Sequence, residues 1–237
     1  MAMRKYLGAF TIRPEFTGDE AWKYQTQAIA PFIRFLAAHR LSKYFVRRVV
    51  NVLAGDPKFY DLVEIYWVDT DLEKEYYGSL LPFYKEAGLT PPMAAWTRLA
   101  VSIWNTTEEV CEVIEHDDSA SEKLYKTMDG YQIADGIDKE EFWNYLNGPY
   151  AATVRSIAGD LIKKFTIHRP VAVAAGDPSY FYAINEIWWT SKEARDVFVE
   201  LAQKHKLPSG KNLPEDFAAR TAADANWAIE IETKQLA

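Results

Sequence analysis

GDPKFYDLVEIYW, residues 55–67, is the stretch that decides the fold, because GDPSYFYAINEIWW, residues 176–189, repeats it. Gly55-Asp56-Pro57 returns as Gly176-Asp177-Pro178 at an offset of 121, and a one-residue slip at Lys58 then brings residues 59–67 opposite 181–189. Working outward, Trp22-Lys23-Tyr24 matches Trp143-Asn144-Tyr145 at the same offset. The helix-start signals recur too: Thr17 with Glu20 has capping-box spacing, and Asp138 with Glu141 repeats it. Phe45 in KYFVRRVV matches Phe165 in KKFTIHRPV at an offset of 120, which sets Arg48 opposite His168. Near the ends, VCEVIE from Val110 pairs loosely with WAIEIE from Trp227. Ordered matches at a nearly constant offset identify a tandem duplication, with one unit over 1–117 and the second over 118–237.

Each unit reads alike. An alternating strand, about 5–12 and 123–133, leads into a capped amphipathic helix, about 19–38 and 139–158. Two strands flank the Gly-Asp-Pro turn, where Gly and Pro supply the backbone angles a reversal needs. A second helix starts near Asp71 after Thr70, and near Lys192 after Ser191, with the hydroxyl residues as N-caps. A last strand closes the unit. The order β-α-β-β-α-β is the ferredoxin-like split βαβ, an antiparallel sheet with both helices on one face. HDDSASEK, residues 116–123, is a short tether, so the two sheets are expected to pack face to face. The third strand agrees: Phe59, Val63, Ile65 and Trp67 occupy one face and Tyr60, Leu62 and Tyr66 the other, where a one-sided sheet would alternate with polar residues. The expected class is α+β, two tandem ferredoxin-like units forming an intramolecular α/β barrel, a pseudo-dimer within one chain.

Composition narrows the function. The 237 residues are 49% hydrophobic and 26% charged, enough for a folded core. The net charge of −7 has no basic stripe to neutralise phosphates, so no nucleic-acid partner is expected. No apolar run approaches the roughly 18 residues of a membrane helix, and Arg13 and Glu15 arrive too early for a signal peptide. A cytoplasmic protein with no membrane partner is expected, as a monomer or homodimer. Cys111 is the only cysteine, which excludes an intramolecular disulfide and a Cys-rich metal site. Aromatics reach 14%, and such residues fill cores but also line pockets for flat apolar ligands.

The unit resembles an EthD-type domain of the dimeric α/β-barrel superfamily. The resemblance rests on the proline after a small residue in helix 1 (Ala30-Pro31, Gly148-Pro149), the lysine- and aromatic-containing start of strand 2, and the pattern Tyr60-Asp61-x-x-Glu64-x-Tyr66. It implies a barrel of two ferredoxin-like sheets with pockets between sheet and helices. The activities it implies are those of cofactor-free lyases, dehydratases, isomerases and polyketide cyclases, with monooxygenases and haem-handling relatives alongside. The histidine that EthD-type domains commonly place before the Ala-Pro pair is Ile29 in the first copy and Asn147 in the second, so chemistry through that residue is not expected.

The ionisable residues within apolar strands carry the candidate chemistry. Glu64 and Glu186 share a register, and an isolated carboxylate there must pair, protonate or face a wet cavity. Each reads either as a general acid or base or as a structural ion pair or hydrogen bond to Arg48 or a tyrosine. His168, mid-strand in FTIHRP, suits a general base and can pair with Glu186; it reads equally as a half-exposed strand histidine. Tyr182 could donate to a developing oxyanion or simply fill the core. Asp61 stands where the second copy has Ala183, a catalytic acid or a strand-edge partner of a cation. His39, His116 and His205 read as helix-end or loop residues. No HxH, HExxH, P-loop, GxGxxG or GxSxG spacing occurs, so no metal or nucleotide cofactor is expected. The leading expectation is a cofactor-independent lyase, dehydratase, isomerase or cyclase acting by proton transfer on a small aromatic or polyketide-like substrate. In it, His168 is the base, Glu186 its partner, Tyr182 a donor, and Glu64, Asp61 and Arg48 are further candidates. The alternatives are a haem protein with His168 as axial ligand, and a non-catalytic accessory protein that binds an apolar ligand.

Overall fold

The computed structural model describes residues 4–37, 41–59, 61–67, 86–87, 99–115, 123–176 and 181–235. The chain is an antiparallel α+β protein. Its first half contributes β1 (Arg4–Ile12), α1 (Gly18–Tyr24), a π turn (Gln25–Ile29), α2 (Ala30–Ala37), β2 (Leu41–Ala54), β3 (Asp61–Trp67) and β4 (Ala100–Ile114). The second half contributes β5 (Tyr125–Tyr131), α3 (Lys139–Tyr145), a π turn (Leu146–Tyr150), α4 (Ala151–Ala158), β6 (Ile162–Gly176), β7 (Ala183–Trp189), α5 (Lys192–Lys204), α6 (Leu213–Ala218) and β8 (Trp227–Gln235). The helix expected near Asp71 lies outside the described residues.

Local chemistry accounts for the boundaries. Thr17 accepts from the Glu20 N–H while the Glu20 carboxylate takes the Thr17 N–H, a complete capping box. Asp138 caps α3 through the N–H groups of Glu140 and Glu141, and Ser191 caps α5 through Ala194. Gly55 and Gly176, the first residues of the repeated Gly-Asp-Pro, both take positive φ, 64° and 76°.

The strands close into a barrel in the order β1-β3-β2-β8-β5-β7-β6-β4. The sheets of the two halves are therefore joined edge to edge, at the β4–β6 and β2–β8 seams, and do not stack face to face as the sequence suggested. Closure removes every free edge and explains why so many strand residues are apolar on both faces. One face meets the helices and the other meets the lumen. Phe165, Ile167, Ala183, Ile187 and Trp189 pack with Phe142, Trp143 and Leu146 of the helices. Leu7, Ala9, Met128, Ile184, Trp227 and Ile229 form a separate lumen cluster with no helix residue in it. Gly130 lets the Trp227 indole lie across β5; a Cβ there would overlap the ring.

Strand register corrects the sequence alignment. Phe45 pairs with Glu64, and Thr166 pairs with Glu186. The equivalent of His168 is therefore Arg47, and the equivalent of Arg48 is Arg169. An offset of 120 at Phe45 was one residue short, and in a strand one residue exchanges the faces. Side-chain partners confirm the corrected register. Arg48 stacks over Trp22 and binds Asp19 and Glu232; Arg169 stacks over Trp143 and binds Glu140 and Glu109. The helix prolines are likewise not equivalent, since Pro149 lies inside its π turn while Pro31 follows one.

Candidate functional site: a luminal ion cluster and a sheet–helix pocket

Two sets of polar residues stand out, on opposite faces of the same strands. The first lies in the lumen. Arg47 of β2 crosses it to Glu186 of β7, donating from Nε to Oε1 at 3.1 Å and from Nη2 to Oε1 and Oε2 at 2.8 and 2.9 Å. The Trp188 indole N–H adds a 2.7 Å bond to Glu186 Oε1. His168 stands beside them, Nδ1 at 3.2 Å from Glu108 Oε2 and Nε2 at 3.6 Å from Glu186 Oε2. The Lys164 ammonium lies over the Trp188 ring at 4.4 Å. Arg47, His168 and Glu186 are all fully buried.

Burial opposes ionisation of Glu186, but the Arg47 and Lys164 charges outweigh it and hold the carboxyl well below the usual carboxylate range. A carboxylate so held is a poor proton acceptor. The cluster brings one arginine, one lysine, one histidine and two glutamates together. It joins the two halves of the chain across the lumen.

The other sequence candidates are scattered. Arg48 is on the helix side in its ion pairs with Asp19 and Glu232. Tyr182 is also on the helix side, remote in role from Glu186: its hydroxyl donates to the Lys139 carbonyl at 2.7 Å and receives a 3.5 Å contact from Arg169. It thereby holds the start of α3. Asp61 and Glu64 lie in β3, paired in register with Phe10 and Leu7, and their side chains are outside the described residues. His39 and His116 lie outside them as well. Thus His168 and Glu186 come together as expected, while Tyr182 and Arg48 do not join them.

The second set lies between the second half's sheet and its helices. Asp129 and Tyr131 share the helix-side face of β5, and Asp129 pairs in register with Asn185. The Tyr131 hydroxyl donates to Asn185 Oδ1 at 3.0 Å, and Asn185 Nδ2 donates to the Tyr150 hydroxyl at 3.4 Å. Tyr150 ends the π turn, the kind of helix insertion that re-aims side chains at functional sites. Phe217 packs against Tyr131 at 4.9 Å and Tyr150 at 5.1 Å between ring centres. Burial raises the Asp129 pKa to about 6 against a modest opposing pull from Arg195. Burial raises the Tyr150 pKa as well, helped by Asp129, so its hydroxyl stays protonated.

Among the described residues the first half has no such polar set at the matching positions. By the corrected register its positions are Gly8 for Asp129, Phe10 for Tyr131, Val63 for Asn185 and Ile29 for Tyr150. None of the four residues was singled out from the sequence. The signal was present: Val63 and Asn185 stand opposite one another in the repeated stretch, and an offset of 121 from Gly8 reaches Asp129.

Tyr150 also lines a pocket of about 200 Å³ among the helices and the 207–209 loop, with Tyr145, Pro149, Leu207, Pro208 and Leu213 and with Thr153, Ser209, Asp216 and Arg220 as its polar members; no strand residue lines it. Neither described histidine lines this pocket, since His205 is exposed at the end of α5 and His168 is in the lumen. His168 does not fit an axial position either, since both its ring nitrogens face carboxylates inside the closed lumen. Among the described residues no group of three His, Cys, Asp or Glu side chains is placed to hold a metal ion. No helix among them is long and apolar enough to cross a membrane.

No protein-family model matches the chain and no curated protein matches it in sequence. Solved structures do match. An anthrone oxidase-like protein aligns with TM-score 0.54 and 13% identity over 99% of this chain and 93% of its own. A protein of Lactobacillus acidophilus NCFM with a provisional monooxygenase assignment gives 0.56 and 12%, over 98% and 94%. A provisionally assigned chlorite dismutase gives 0.52 and 10%, over 97% and 94%. The likeness is one of fold alone. It spans nearly the whole chain.

Proposed function

We propose that the chain is an internal pseudo-dimer of ferredoxin-like units whose second half is a cofactor-independent enzyme, moving a proton on a small aromatic or polyketide-like substrate. One observation carries this reading. A half-buried carboxyl with its pKa raised to about 6 lies beside a Tyr131–Asn185–Tyr150 hydrogen-bond chain whose matching first-half positions are Gly8, Phe10, Val63 and Ile29. Asp129 is mostly ionised at neutral pH yet poorly solvated, the condition for an effective general base. It takes a proton from a carbon next to a carbonyl, and the electron pair of the C–H bond moves onto the carbonyl oxygen. Tyr150 accepts from Asn185, so its own hydrogen is available to that oxyanion, and Tyr131 polarises Asn185 in turn. Return of the proton from Asp129 to another carbon completes an isomerisation with no co-reactant; loss of a β-hydroxyl as water instead completes a dehydration. The EthD-type assignment belongs to this proposal too, on the repeated strand-3 pattern and without support from the non-equivalent prolines.

The test is hydrogen–deuterium exchange at the α carbons of 2-tetralone and phenylacetone in D₂O, followed by NMR. Exchange faster than buffer with the native protein, lost in Asp129→Asn and retained in His168→Ala, is the expected result. Equal exchange with native and Asp129→Asn protein overturns the assignment. A second reading draws on the anthrone oxidase-like and monooxygenase structural neighbours. There the carbanion left by Asp129 would pass electrons to dioxygen, forming a C–O bond, and the hydroperoxide would lose water to leave a ketone. Oxygen uptake with anthrone, measured by electrode, separates the two.

A further inference from the structure

We propose that the substrate of this site is an aromatic acid, with its ring against Tyr145 and Tyr150 and its carboxylate on Arg220. The inference rests on the proposed helix-side site, which shares Tyr150 with this interhelical pocket, and adds the chemical class of the ligand. Size comes first. An apolar cavity of ~150 Å³ accommodates benzene, so a pocket of about 200 Å³ suits a single ring with a short substituent. Tyrosine rings, prolines and leucines make up most of its walls, with Thr153 and Ser209 among them, and such walls favour a flat, largely apolar body.

Charge defines the other end. Arg220 lies with its guanidinium carbon 4.3 Å from the Tyr145 ring centre, a cation–π contact at the pocket wall. Asp216 meets it only at Nε, across 3.5 Å, and the Arg220 side chain keeps 30% of its exposure. Among the described residues no hydrogen bond reaches its two terminal nitrogens. A guanidinium has two usable edges. Asp216 stands toward the Nε edge, and the Nη1–Nη2 edge is a fork matched to the two oxygens of a carboxylate. A neutral amide can fill that fork with one acceptor oxygen only, and a cation is repelled by it. Asp216 and Tyr145 complete the edge, since Asp216 beside the tyrosine helps burial raise the Tyr145 pKa and keep that hydroxyl a donor.

Isothermal titration of the full chain with benzoate, benzamide and benzylamine tests the proposal. Benzoate should bind about tenfold tighter than benzamide, the value of one charge-assisted hydrogen bond, and benzylamine least of all. Arg220→Gln should bring benzoate down to the benzamide level and leave benzamide unchanged, and Arg220→Lys should restore part of the difference. Equal affinity for benzoate and benzamide in the native protein overturns the inference, as does a benzoate advantage that survives Arg220→Gln in folded protein. Asp129→Asn keeps the two proposals apart. If it abolishes α-carbon exchange while benzoate shows no advantage, proton transfer stands and the acid specificity fails. If benzoate is preferred while exchange is indifferent to Asp129, the acid site stands and the catalytic reading fails.

Discussion

Replacing Arg47 by alanine removes three hydrogen bonds to Glu186 and leaves a fully buried carboxylate short of its principal counter-charge. Breaking such a pair from one side costs about 3–5 kcal/mol, because the surviving charge keeps its desolvation penalty. For a chain of this length each kcal/mol corresponds to about 2–4 °C, so the melting temperature should fall by roughly 6–20 °C. Glu186 also sets a sign. Its pKa is lowered in the fold, so its contribution is present above the unfolded carboxyl pKa and is lost as pH falls through the lower folded value. Without Arg47, burial dominates and pushes that pKa upward, so acidification relieves the variant as the carboxyl protonates. The gap between native and Arg47→Ala protein should therefore narrow from pH 7 to pH 4.5. Urea melts followed by tryptophan fluorescence at both pH values measure it. The double variant Arg47→Met/Glu186→Gln, which keeps an acceptor for the Trp188 indole, should recover more than half of the loss. A cost below about 1 kcal/mol at pH 7, or a gap that widens in acid, would refute the placement of this ion pair as the principal bond across the lumen.

Other expectations follow from single contacts. Asp129→Asn should raise the melting temperature by a few degrees at pH 8 and leave it nearly unchanged at pH 4. A carboxyl raised to about 6 disfavours folding above that pH, and the penalty fades as pH falls toward the unfolded value; calorimetry at the two pH values decides it. If Asp129 is the base, the exchange rate should also rise with pH through about 6 and then level off. Gly130→Ala should destabilise by about 1–3 kcal/mol, since the new methyl meets the rigid Trp227 indole, and Trp227→Leu in the same chain should relieve it. Ser191→Ala should cost about 1 kcal/mol by uncapping α5, read from a denaturant midpoint shift at unchanged slope.

Much of the architecture was legible in the residues because its signals are local. Capping boxes at Thr17, the N-caps at Asp138 and Ser191, and the positive-φ glycines of the repeated turn each act within four residues, and all are where the spacing placed them. The two π turns were not legible, since one inserted residue leaves the apolar period almost intact. The strand register was missed by one. Phe45 and Phe165 look alike, yet Phe45 faces the lumen beside Arg47 while Phe165 packs against Tyr150. A match by residue type cannot tell two faces apart when both are apolar, as both must be in a closed barrel flanked by helices.

For the candidate site the same limit applied with more effect. Sequence pointed to His168 and Glu186 because ionisable side chains in apolar strands demand an explanation, and the demand was sound. Whether the explanation was chemistry or a counter-ion depended on Arg47, 139 positions away in the chain and brought near only by closure of the barrel. Asp129, Asn185 and Tyr150 drew no notice singly, since an aspartate beside a glycine and a tyrosine in a helix are ordinary.

The residues alone determined the repeated elements, their caps and turns, the antiparallel α+β class and the aromatic character of the interior, for these follow from periodicity and short-range hydrogen bonding. Tertiary structure decided which face each strand turns to the lumen, which carboxylate meets a cation and which is merely desolvated. Those outcomes depend on distances between side chains far apart in sequence, and a carboxyl group's acidity is set by that surrounding and not by its neighbours in the chain.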